Sequence, residues 1–264
     1  MSIDCRAEFI DELCEITVEA GARIMEFFGP ACEVSYKDDA SPLTLADTAS
    51  DGVICAALAS LCPDTPVVSE ECIPQTVVDV TQEFFLVDPL DGTKEFIKRG
   101  TDFTVNIALI RGGEPVAGVV YAPALDALYA GVYGVGARMR DRTGGNWRPM
   151  HVRPRPADGR ITAVASKSHN NPETDAYLAR FDVAERVSVG SSLKFCLVAD
   201  GQADLYPRLG PTYEWDTGAG DAVLRAAGGR VYDLDAAPLR YGKARFWNPG
   251  FVAVGDLERP PPAR

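Results

Sequence analysis

The chain has 264 residues, of which 46% are hydrophobic and 24% charged, with a formal net charge of -12. That length buries a sizeable core in one large or two smaller domains, and the acidic balance excludes a basic surface that tracks a nucleic-acid polymer. With only two histidines, His151 and His169, there is little material for a Ser-His-Asp triad or a histidine-rich zinc centre.

In chain order, Phe9, Leu13, Ile16, Ala20, Ile24 and Phe27 recur at helical spacing until Gly29-Pro30 stops the pattern. A second helix is expected from near Thr44, carrying Ala49, Val53, Ala57 and Leu61 on one side and ending before Pro63. From Val67 the pattern becomes strand-like: Val67–Ser69, Phe84–Val87, Phe103–Ile110, Val116–Tyr121 and Leu128–Val132, with Gly112-Gly113 marking a hairpin. Residues 141–160, rich in Gly, Pro and Arg, read as a linker. Beyond them a strand at Ile161–Ala165 leads to a helix capped by Asn171 with Pro172 at its first position. Next come a strand at Val187–Val189, a helix over Leu193–Ala199 ending at Gly201, a strand at Ala203–Tyr206, and a helix from Asp216 to Gly228-Gly229. Strands Arg230–Leu234 and Phe251–Val254 follow, and the tail from Arg259 is expected to be disordered. The alternation predicts an α/β protein in two parts, an α+β domain over 1–150 carrying a metal site and an α/β domain over 151–264 that completes it and binds substrate.

The seven cysteines are odd in number, scattered and without a CxxC motif, which fits reduced thiols better than a disulfide framework. The acidic start lacks a signal-like apolar core, and no run approaches the roughly 20 apolar residues of a membrane span. These features predict a cytoplasmic protein with a small-molecule partner.

The chemistry concentrates in Leu86-Val87-Asp88-Pro89-Leu90-Asp91-Gly92-Thr93. An apolar strand that ends in two carboxylates suits hard cations, which take oxygen ligands, and acids there need a counter-charge. Gly92 permits a tight turn whose backbone N–H groups approach an anion. Glu70-Glu71 ends the preceding strand, Asp216 opens a late helix, and Asp47 sits in the first turn of the second helix. Each has a plainer reading. Asp47 also fits a carboxylate on a helix dipole, Asp216 an N-cap, Glu70-Glu71 a solvated pair, and Asp88-Pro89 a turn. Taken together they suggest two Mg²⁺ ions clamping a phosphate, with Thr93 orienting the attacking water and Asp47 accepting that hydroxyl's proton.

These motifs, with Trp215-Asp216-Thr217-Gly218-Ala219-Gly220 downstream, resemble the inositol monophosphatase superfamily of Mg²⁺-dependent, lithium-sensitive phosphatases. Leu86 through Lys98, Phe103 through Ile110, Gly118 through Pro123 and Gly190 through Ala199 look like its bacterial CysQ-type 3′(2′),5′-bisphosphate nucleotidase branch. The resemblance runs from about Lys37 to Gly250. It implies a layered αβαβα fold and hydrolysis of 3′-phosphoadenosine 5′-phosphate, and also of its 5′-phosphosulfate relative, with an inositol or sugar monophosphatase as the alternative.

Carried over by motif, metal would be held by Glu70, Asp88, Asp91, Asp216 and the Leu90 carbonyl, as two or three Mg²⁺ ions, with lithium inhibition. The catalytic set would be Asp47, Thr93 and Glu70. Substrate would meet Glu70, Leu90, Asp91, Gly92, Thr93 and Asp216, and further on His169, Ser191 and Lys194. Lys194 also fits a solvated helix lysine, and the protein would be a monomer or homodimer. Asp221 departs from the expected pattern: it either adds negative charge near the site or faces solvent. A non-catalytic sensor is disfavoured because Glu70, Asp88, Asp91, Thr93 and Asp216 are all present.

Overall fold

The fold is that of a computed structural model, which describes residues 3–5, 7–29, 34–36, 42–72, 79, 81–142, 144–166 and 171–263. Helix α1 (Ala7–Glu26) precedes an antiparallel pair, β1 (Val34–Tyr36) and β2 (Pro42–Thr44), and helix α2 (Leu45–Leu61). Then come β3 (Val67–Ser69), β4 (Glu83–Asp91), α3 (Thr93–Ile97), β5 (Thr104–Arg111), β6 (Glu114–Ala122), β7 (Ala127–Val132), β8 (Gly136–Arg140) and β9 (Arg148–Met150). The later half runs β10 (Ile161–Ser166), α4 (Pro172–Leu178), β11 (Val183–Val189), α5 (Leu193–Ala199), β12 (Leu205–Arg208), β13 (Thr212–Tyr213) and α6 (Trp215–Ala226). It closes with β14 (Arg230–Tyr232), β15 (Trp247–Asn248) and β16 (Phe251–Val254).

Strands β3 to β9 form a seven-stranded sheet in sequence order, parallel at β3/β4 and antiparallel elsewhere. A five-stranded sheet has the order β11-β10-β12-β16-β14. The apolar run in β4 is continuous because both faces of the large sheet are covered. Alternate residues serve opposite layers: Phe85 and Val87 pack with Leu13, Ile54 and Leu58 of α1 and α2. Phe84 and Leu86 pack with Phe195, Ala219 and Val223 of α5 and α6. That second core also takes in Val164, Tyr206 and Phe251 from the inner face of the five-stranded sheet, whose outer face packs on Tyr177 and Leu178 of α4. The layers therefore run helix, sheet, helix, sheet, helix, an α/β fold of the expected αβαβα kind.

Three expectations change. The stretch read as a linker holds β9, which pairs with β8 and extends the large sheet. Trp147 anchors it, lying 4.3 Å and 4.9 Å from the Arg138 and Arg140 guanidiniums, a cation–π arrangement that composition does not reveal. The tail is ordered through residue 263, with Arg259 Nε donating to the Ala236 carbonyl at 2.6 Å and the Ala263 amide to that of Leu234 at 2.8 Å. Asp221 neither faces solvent nor joins the acidic cluster. It is fully buried, accepting from Arg225 Nε at 2.7 Å and the Tyr241 hydroxyl at 2.9 Å.

Candidate active site

Two parallel strands bring the first acids together. The Glu70 amide donates to the Val87 carbonyl at 3.1 Å, so the residue after β3 lies beside the end of β4. Asp88 stays within β4, and the register slips between Asp88 and Asp91. Pro89 lies in that slip, and a proline has no N–H for the ladder. The Leu90 amide donates instead to Asp88 Oδ1 at 3.1 Å. The third acid comes from α6, which lies so close to the sheet that a Cβ on Gly118 would stand 2.7 Å from the Ala219 carbonyl oxygen. Asp216 is in its first turn, held by the Tyr213 amide at 2.7 Å. Asp216 is thus no N-cap; Glu214 occupies that position.

One carboxylate oxygen each from Glu70, Asp88 and Asp216 lies within 4.8 Å of the others. Burial, and then the charges of Glu70, Asp91, Asp216 and Asp47, push the Asp88 carboxyl well above the usual carboxylate range. Burial followed by Asp91 and Glu70 does the same to Asp216. Asp91 stands beside this trio; burial raises its carboxyl while Lys194 and hydrogen bonds from Ser192 and Asn106 oppose the rise. Acids packed this tightly fit a hard divalent cation, whose charge offsets their repulsion and whose ligands are oxygens.

Asp47 unites both of its readings. Its Oδ2 accepts from the Thr44 amide at 2.8 Å and the Thr44 hydroxyl at 2.6 Å, completing a capping box at the start of α2. Its Oδ1 lies 3.3 Å from Thr93 Oγ1, which is 3.2 Å from the Leu90 carbonyl oxygen. Gly92 adopts φ +95°, and a Cβ there would stand 3.0 Å from the Asp102 carbonyl oxygen, so glycine alone permits the turn that starts α3 at Thr93.

Cations also line the cleft, Lys194 and Arg208 among them. Lys194 is a buried side chain rather than a solvated one, with Nζ donating to the Ser191 carbonyl at 2.5 Å and lying 5.5 Å from the Tyr206 ring centroid. Burial lowers its ammonium to about 8, against the opposing pull of Asp91. Ser191 sits at φ +48°, and its buried hydroxyl has no hydrogen-bond partner among the described residues. The cleft holds about 610 Å³ and reaches from Glu70 and Asp88 to Lys194 and Arg208. His169 lies outside the described residues.

Three residues escaped the sequence reading. Ser192 Oγ lies 3.1 Å from Asp91 Oδ2 and 2.9 Å from the Asp216 carbonyl oxygen, and accepts from Asn106 Nδ2 at 3.0 Å. Asn106 is fully buried in the middle of β5; a lone amide in that apolar strand was the available signal. Arg208 lines the cleft and repels the Lys194 charge. In sequence it was one arginine among many.

The inositol monophosphatase family pattern matches residues 6–251. The chain belongs to this family. It is 47% identical over 247 residues to the 3′(2′),5′-bisphosphate nucleotidase CysQ of Escherichia coli O157:H7, covering 92% of this chain and 98% of that one. The Buchnera aphidicola CysQ is 38% identical over 252 residues, covering 93% of each. Among solved structures, CysQ from Bacteroides thetaiotaomicron superposes with a TM-score of 0.80 at 38% identity, over 95% of this chain and 98% of that one. The family is one of Mg²⁺-dependent phosphatases, and among the described residues no helix is long and apolar enough to cross a membrane.

Proposed function

We propose that this protein is a Mg²⁺-dependent 3′(2′),5′-bisphosphate nucleotidase that hydrolyses the 3′-phosphate of 3′-phosphoadenosine 5′-phosphate to give AMP and phosphate. One observation carries the reading: a single cleft joins an acidic cluster that needs cations to a wall bearing Lys194 and Arg208. A bisphosphate requires both, one phosphate at the metals and a second against fixed cations. The similarity to CysQ relatives supports the same substrate.

Glu70, Asp88, Asp91, Asp216 and the Leu90 carbonyl would hold two or three Mg²⁺ ions. When bound there, Mg²⁺ supplies charge neutralisation for phosphate oxygens and Lewis-acid activation of water. The Thr93 hydroxyl, donating to Asp47, presents its lone pairs to the attacking water and orients it. Asp47 stays fixed as an acceptor because Thr44 holds its other oxygen. Glu70, at the cleft wall, takes up the proton the water releases. Backbone N–H groups of Gly92 and Thr93 hold phosphate oxygens, while Lys194 and the Ser191 hydroxyl, which has no partner among the described residues, meet the second phosphate. Lithium inhibition and a cytoplasmic location belong to the same reading.

The test is phosphate release from the adenosine bisphosphate, inositol 1-phosphate and fructose 1,6-bisphosphate, with Mg²⁺ and with EDTA. Preference for the nucleotide that disappears in EDTA is expected. Preference for inositol 1-phosphate overturns the assignment in favour of a monophosphatase.

A further inference from the structure

Two large aromatic side chains are exposed at the mouth of the cleft. Tyr213 is 39% and Trp247 46% accessible, and both line the cleft. They are direct partners across the β13/β15 pair, so their side chains leave the same face of that ribbon. The ribbon is rigidly held. Glu214, fully buried between Tyr213 and Trp215, accepts from the amides of Gly242 at 2.6 Å and Lys243 at 2.9 Å, and its own amide donates to the Phe246 carbonyl at 2.7 Å. The Tyr213 ring lies 4.6 Å from the Trp215 ring at an interplanar angle of 11°. Trp215 also lines the cleft, and its buried Nε1 has no hydrogen-bond acceptor among the described residues.

We propose that Tyr213 and Trp247 form a stacking shelf for the purine base of the substrate. The inference rests on the nucleotidase reading and deepens it by naming what selects a nucleotide over a cyclitol phosphate. The Tyr213 amide donates to Asp216 Oδ2, so the strand that carries the shelf adjoins the acidic cluster, and both line one cleft. A flat heteroaromatic ring suits exposed aromatic faces, and stacking tolerates any base because every base has a π-face.

The experiment compares AMP with ribose 5-phosphate, which differ by the base, by calorimetry with Mg²⁺ and in EDTA. Proteins tested are wild type, Tyr213→Ala, Trp247→Ala, the double variant and Trp247→Phe. Wild type is expected to bind AMP about 10- to 100-fold more tightly than ribose 5-phosphate, the range stacking on one aromatic pair supplies. The double variant should lose that preference, and Trp247→Phe should keep most of it. AMP should also quench the indole fluorescence of wild type, and KM for the bisphosphate should rise in the alanine variants more than kcat falls. Unchanged AMP affinity in the double variant overturns the shelf. So does an equal loss of ribose 5-phosphate affinity, which marks a merely structural role. If wild type hydrolyses the bisphosphate and the variants match it, only the shelf falls. If wild type ignores the bisphosphate and hydrolyses inositol 1-phosphate, the nucleotidase reading falls and takes the shelf with it.

Discussion

Replacing Asp88 by Asn should stabilise the metal-free protein and abolish its response to Mg²⁺. Asp88 is 1% exposed, and its carboxylate lies within 4.8 Å of those of Glu70 and Asp216. At an effective dielectric of about 20, each such pair repels by roughly 3.5 kcal/mol when both members are ionised. Proton uptake limits how much of this is realised, because burial and these neighbours raise the Asp88 carboxyl, and each unit of rise corresponds to about 1.4 kcal/mol. A carboxyl with a raised folded pKa binds more protons folded than unfolded. Its contribution to stability is therefore fully present below the unfolded value of about 3.9 and is lost as pH rises through the folded value. Asparagine carries no charge and keeps an acceptor for the Leu90 amide. In EDTA at pH 7.5 the variant should gain about 1–3 kcal/mol, or about 2–12 °C in Tm at roughly 2–4 °C per kcal/mol. Wild type in EDTA should be more stable at pH 5 than at pH 7.5, and the variant should show a flatter profile. Calorimetric or dichroism melts with and without Mg²⁺ check this. A Tm for Asp88→Asn at or below wild type in EDTA, or an undiminished Mg²⁺ shift, refutes the reasoning.

Other tests follow from the cleft and its supports. Lys194 is held to about 8 by burial, and its charge is lost as pH rises through that value. For the bisphosphate, kcat/KM should fall above pH 8, whereas a monophosphate without a second anion should show no such limb, and Lys194→Ala should remove the difference. Asn106→Leu keeps the apolar character of β5 but withdraws the donor from Ser192 and Asp91. Activity or Mg²⁺ affinity should fall about 10- to 100-fold, as losses of ligand-supporting hydrogen bonds do, with an unchanged far-UV spectrum. Arg225→Ala leaves Asp221 buried without its counter-charge, which costs about 3–5 kcal/mol. Urea titration should show that loss while the KM of the folded fraction is retained.

The fold was legible wherever one physical signal dominated. The helical repeat of Leu13, Ala20 and Ile24 and the unbroken run Phe84–Val87 each reflect burial against a neighbouring layer, and Asn171-Pro172 marks a helix start by local chemistry alone. Where position depended on a distant partner, sequence was silent. Strand β9 exists because β8 offers it an edge, and the tail is ordered because Leu234 and Ala236 lie beneath it. Asp221 could not be placed without seeing Tyr241, twenty residues on, reach its carboxylate.

The site shows the same division more sharply. The acids were visible because carboxylates that close an apolar strand demand a counter-charge, whereas Ser192 and Asn106 act through the geometry of Asp91 and announce nothing by spacing. Asp47 is the instructive case. Its roles as a helix-capping carboxylate and as the partner of Thr93 compete when only the sequence is read, yet a carboxylate has two oxygens and uses one for each. The capping box is what fixes the second oxygen toward Thr93. A change that weakens the cap, such as Thr44→Val, should therefore reach the threonine through Asp47 and lower kcat as well as stability. Local helix chemistry and the positioning of the attacking water are here the same interaction.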